Sequence, residues 1–147
     1  MSLMLANRYF HASRFDDAVP ELRGVLDKHP RHSGAARKLM VSLALTGRVP
    51  EAVALAVRFL AADPEELLSL TPNEDPRDYR RALAALRGGG HDLSPAAGAI
   101  GAGIIQLFID PSEALVQLDR GLAHDPAPGP VRALRNLVAN HVEAGHV

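Results

Sequence analysis

Residues 15–30 read FDDAVPELRGVLDKHP and residues 49–64 read VPEAVALAVRFLAADP. The two stretches align at a spacing of 34: Ala18 with Ala52, and Pro30 with Pro64. The same spacing relates Leu5 to Leu39 and the turn residues Ser13 and Gly47. A fixed period of this size is the mark of a stacked helical repeat and takes precedence over any local reading.

Each period divides into two amphipathic helices. In the first, Leu5, Tyr9 and Phe10 recur at helical spacing, Ser13-Arg14 breaks the pattern, and Phe15, Ala18, Val19, Leu22, Val25 and Leu26 form a second stripe. In the next period Leu39, Met40, Leu43 and Ala44 precede the break at Thr46-Gly47-Arg48, and Val49, Ala52, Val53, Ala56, Phe59 and Leu60 follow it. Gly47 suits a left-handed helix end, and Pro50 suits the first turn of the helix that follows. Pro20 fits within a first turn if Asp16 is the N-cap. Pro30 and Pro64 close the second helices, because a residue before proline avoids the α region. Downstream, Ala114, Leu118 and Pro126 keep the spacing of Ala18, Leu22 and Pro30.

This pattern resembles the tetratricopeptide repeat, in its small Ala18 and Ala52, its closing Pro30 and Pro64 and its early Leu5 and Tyr9. The resemblance implies an all-α solenoid of antiparallel helical hairpins, with one inserted helix and a C-terminal capping helix. The expected boundaries are repeat 1 at 2–30, repeat 2 at 33–64, an insertion at 65–92, repeat 3 at 95–126 and the cap at 131–145. Within the insertion, Asp75 and Pro76 start a helix to Arg87 whose stripe is Tyr79, Ala82, Leu83 and Leu86, stopped by Gly88-Gly89-Gly90. The capping helix carries Leu134, Leu137, Val138, His141 and Val142 on one face, as the end of a repeat stack requires.

Composition narrows the function. Lys+Arg at 16 against Asp+Glu at 17 gives a net charge of -1, without the basic field that nucleic acid or an anionic membrane needs. The apolar run from Ala96 to Ile109 is too short to span a bilayer, and the first residues lack the charge and apolar core of a signal peptide, so a cytoplasmic location is expected. The chain has no cysteine. His29 and His32 flank a turn, and His141 and His146 do not share a helical face, so no metal is expected. Gly98, Gly101 and Gly103 follow no strand and match no phosphate loop, and they read as close helix packing. Asp16-Asp17, Glu65-Glu66 and Glu74-Asp75 stand at helix starts, where carboxylates complement the helix dipole. Ser33, Ser94 and Ser112 read as caps. No nucleophile and base pair emerges, so the chain is expected not to be an enzyme and to need no cofactor.

The family resemblance further implies a concave groove that holds a partner peptide or helix. Its residues would be Asn7, Phe10 and His11, then Arg37, Val41 and Leu45, then Gln106 and Leu107, with Arg37 placed to meet a partner's carboxylate. Of the five positions that form the family's clamp for a C-terminal carboxylate, only Asn7 matches; Leu3, Lys38, Ala96 and Ile100 occupy the others. The expected role is a protein-binding scaffold. Self-association through repeat ends or the inserted helix is the alternative. An apolar groove of this kind calls for a cover, and the inserted helix is the nearest candidate.

Overall fold

Helix initiation follows one recurring device. Asp63-Pro64, Asp75-Pro76, Ser94-Pro95 and Asp110-Pro111 each place a capping side chain before a proline whose missing N–H would have had no partner. The capping oxygens accept from the backbone N–H of Glu66, Arg77, Ala97 and Ser112 respectively. A computed structural model describes residues 2–89, 93–126 and 129–145. Among the described residues there are nine helices and no strand: α1 Leu3–His11, α2 Phe15–Lys28, α3 Ser33–Leu45, α4 Val49–Ala62, α5 Pro64–Leu68, α6 Pro76–Arg87, α7 Pro95–Gln106, α8 Pro111–His124 and α9 Gly129–Ala144. Gly90 of the expected glycine stop and His146 lie outside the described residues.

Among the packed helix pairs are α1 with α2, α3 with α4, and α7 with α8, and α2 packs on α3 as well. The first two pairs turn alike. Ser13 and Gly47 both take positive φ, at 60° and 80°, and the amides of Arg14 and Arg48 each reach back 2.8 Å to the carbonyls of Tyr9 and Leu43. This is the left-handed helix stop that the 34-residue spacing marks. The third pair differs, with the Asp110 amide bonding the Gln106 carbonyl at 2.7 Å and no left-handed residue in the turn.

Several local expectations need correction. The Ser13 turn delivers the chain into helix at once, so α2 begins at Phe15 with Arg14 at its cap, and Pro20 lies inside the helix rather than in its first turn. Pro64 does not simply end α4. Asp63 closes α4 and caps α5, so Pro64 opens a further short helix. His32, not Ser33, caps α3, its Nδ1 accepting from the Ala35 amide at 3.0 Å, and Asp110 rather than Ser112 caps α8.

The helix α3 is central, touching α1, α2, α4, α5, α6 and α7, and is buried around its whole circumference except at Gly34 and Lys38. Residues 99–106 of α7 are buried in the same way. A helix apolar on all sides belongs inside, and the run from Ala96 to Ile109 supplies most of such a helix before it enters the turn to α8. Beyond its expected contact with α8, α9 also packs on α4. No described helix is long and apolar enough to cross a membrane.

Glycines permit the closest approaches. A Cβ on Gly103 would stand 3.0 Å from Leu118, and one on Gly101 would stand 3.4 Å from Leu86 of α6. Gly98 faces open space, so the packing reading does not extend to it. The tightest site is Gly121, where a Cβ would fall 2.6 Å from Ile100 Cγ1. Gly121→Ala is therefore expected to destabilise by about 1–3 kcal/mol despite the gain in helix propensity. A denaturation midpoint at or above that of the parent would show that α7 and α8 lie further apart.

Candidate functional site

Most of the residues expected to line a groove are buried, and Phe10 and Arg37 lie beneath a cover. Phe10 of α1, Arg37, Val41 and Leu45 of α3, and Gln106 and Leu107 at the end of α7 are all buried. Asn7 is half-buried and His11 is exposed at the edge. The cover is α6, which packs on α3 and α7. Its buried residues Tyr79, Ala82, Leu83 and Leu86 follow the i, i+3, i+4, i+7 spacing of a helix laid in a groove. The Tyr79 ring stands 5.5 Å from that of Phe10 and 5.4 Å from that of Phe108, in tilted contacts that join α1, α6 and the α7–α8 turn. The inserted helix thus occupies the face formed by α1, α3 and α7.

Arg37 does have a carboxylate partner, and it belongs to the same chain. Its side chain is fully buried, and that of Glu74, in the loop before α6, is 4% exposed. Arg37 Nε donates to Glu74 Oε2 at 3.1 Å, and Nη2 donates to Oε1 in the second arm of a bidentate pair. Nη1 donates to the Glu66 and Leu67 carbonyls at 3.0 and 2.9 Å, which ties α5 to the same guanidinium. Tyr79 Oη donates to Glu74 Oε2 at 2.7 Å, and the Thr71 amide and hydroxyl complete the carboxylate's shell. Glu74 is therefore not a helix-start acid acting on the dipole. Burial pushes its carboxyl upward, but hydrogen bonds from Arg37 and Tyr79 and the charge of Arg37 outweigh burial and hold it down at about 2. The Tyr79 phenol is raised above its ordinary value, first by burial and then by Glu74.

A polar edge surrounds this network. His11 Nδ1 lies 3.0 Å from Asp78 Oδ1, and Arg81 both pairs with Asp78 at 3.1 Å and donates to the His11 carbonyl at 2.8 Å. Lys38 Nζ donates to Asn7 Oδ1 at 2.8 Å, and burial lowers this lysine from its ordinary value against the opposing pull of Glu74. A polar pocket of about 190 Å³ opens here, with Asn7, Lys38, Asn73 and Asp78 among its walls. Gln106 Oε1 is buried without a hydrogen-bond partner among the described residues. Among the described residues no three His, Asp or Glu side chains converge as a metal would require.

The exposed side of α6 was not singled out by the sequence. It carries Arg77, Arg80, Arg81, Ala84, Ala85 and Arg87, opposite the buried stripe. The signal was present in the sequence, since four arginines fall within twelve residues whose apolar positions already defined the inner face. No family model, no curated protein and no solved structure matches this chain.

Proposed function

We propose that this chain is a cytoplasmic protein-interaction scaffold of tetratricopeptide-like hairpins, whose partner-facing side is floored by α6 instead of lying open as an apolar groove. The observation that carries the reading is the replacement of one surface by another. The apolar stripe of α6 fills the side formed by α1, α3 and α7, and its arginine face takes over as the exposed surface.

Magnitudes decide against α6 as a readily displaced lid. Exposing Tyr79, Leu83 and Leu86 costs about 1.5–3 kcal/mol each. Leaving Arg37 buried without Glu74 costs about 3–5 kcal/mol more. Together these approach the whole stability of a typical domain, about 5–15 kcal/mol. A partner that evicted α6 would have to replace nearly all of this, so docking onto α6 is the cheaper route.

The test is photocrosslinking in cells of the source organism, with a benzophenone amino acid at Ala84 on the exposed face of α6 and a control at Val116, which is 48% exposed on α8. Capture of a protein from Ala84 and not from Val116 is expected. Equal capture at both positions, or none at Ala84, would sink the reading. Self-association is favoured by a separate observation: Met4 is 73% and Leu3 36% exposed on α1 of the first helix pair. Sedimentation velocity separates the two, because a dimer dissolved by Met4→Glu would move the preference to self-assembly.

A further inference from the structure

The outer face of α6 has a charge pattern that the fold does not require. Arg77 is paired with Asp75 at 3.0 Å and Arg81 with Asp78 at 3.1 Å. Arg80 and Arg87 are exposed and have neither an ion pair nor a hydrogen bond among the described residues. Seven residues apart on a helix, they lie on one face about 10.5 Å from each other. Ala84 stands between them, and Ala85 widens the low surface beside it.

This concentration is local. The chain as a whole carries 16 Lys+Arg against 17 Asp+Glu, whereas α6 has four arginines and Asp78 as its only acid. Arg80 stands three residues from Arg77 and next to Arg81, and while those two have Asp75 and Asp78 against them, Arg80 has no carboxylate of its own. Carboxylates from outside would satisfy the open guanidinium forks in bidentate fashion.

Resting on the scaffold reading above, we infer that the outer face of α6 is a docking surface for an acidic peptide segment of a partner protein. Arg80 and Arg87 each take one carboxylate, and the backbone of the segment crosses at Ala84, where no long side chain stands in its way. The spacing fits sparse carboxylates. Duplex nucleic acid presents a charge about every 1.7 Å along its axis, and such a continuous polyanion would meet Asp75 and Asp78 as well as the arginines. An acidic peptide can place its charges at the two free arginines and avoid both aspartates. This surface lies outside the paired helices, on the inserted element.

The experiment titrates the full chain with a fluorescein-labelled 15-residue peptide containing five glutamates, followed by anisotropy and by amide NMR. Saturable binding that weakens as salt rises is expected, with shifts confined to α6. Arg80→Glu/Arg87→Glu should weaken it at least tenfold with the circular dichroism spectrum unchanged, since both side chains are exposed. Arg80→Lys/Arg87→Lys should fall between the two. Unchanged binding by the charge-reversed chain would overturn the inference. So would tighter, Arg80- and Arg87-dependent binding of a 15-base-pair duplex or of phosphatidylserine vesicles. If crosslinking from Ala84 still captures its protein after both arginines are reversed, the acidic partner is excluded and the scaffold reading stands. If Ala84 captures nothing while the peptide binds as described, the scaffold reading falls and the anion-recognising face remains.

Discussion

Glu74→Gln is expected to lower the stability of this chain by about 3–5 kcal/mol, although the substitution preserves shape and leaves a side chain able to hydrogen-bond. The loss comes from Arg37, which stays charged and fully buried with no counterion. Equilibrium denaturation of the single variants, and of the Arg37→Met/Glu74→Leu double variant, measures this directly. The double variant should recover part of the loss, because the unpaired buried charge is gone while the Tyr79 hydroxyl and the Glu66 and Leu67 carbonyls lose their partners. A single-variant loss below about 1 kcal/mol would mean that solvent reaches the pair.

The same carboxylate sets an acid dependence whose sign can be worked out. Its folded-state pKa, about 2, lies below the ordinary 4.5. The unfolded chain therefore binds the proton first as pH falls. Stability from Glu74 is complete above about pH 5 and is lost progressively as pH drops toward 2. The gap between parent and Glu74→Gln should accordingly narrow from pH 7 to pH 3. A gap that held constant, or widened in acid, would contradict the assignment.

The helices were legible because their signals are local. Periodicity, Asp-Pro and Ser-Pro starts and the paired turns at Ser13 and Gly47 all act within one or two turns of chain, and each appears in the sequence at its own position. The network around Arg37 was not legible for the opposite reason. Glu74 sits 37 residues away, in a position already explained by a helix start, so nothing local demanded a buried partner. Gly121 was silent in the same sense, since its lack of a Cβ acquires meaning only when Ile100 arrives from another helix. Of the expected groove residues, Phe10 and Arg37 meet the inserted helix or the loop before it, and most of the others are simply buried. Whether the expected groove would be open depended on a helix whose amphipathic stripe was visible and whose destination was not.

That destination can be tested by Tyr79→Ala, the second substitution expected to have a large effect. Tyr79 is 1% exposed, lies in tilted contact with Phe10 and Phe108 and donates to Glu74, so its truncation removes a buried aromatic and weakens the adjoining ion pair. About 3–5 kcal/mol is expected from the lost ring. Tyr79→Phe isolates the hydroxyl and should cost about 1.5–3 kcal/mol, the range for a hydrogen bond to a charged group. How the loss is distributed matters more than its size. If α6 belongs to the cooperative core, hydrogen exchange in Tyr79→Ala should accelerate together in α3, α6 and α7, with one denaturation transition. If α6 were a lid, its own amides would exchange fast while α3 and α4 kept their protection, and the uncovered surface at Phe10 and Phe108 would bind a hydrophobic dye. Because the aromatic contacts and the Arg37–Glu74 pair reach α1, α3, α5 and the α7–α8 turn at once, the cooperative result is expected. The lid result would return the apolar groove to consideration as the partner site.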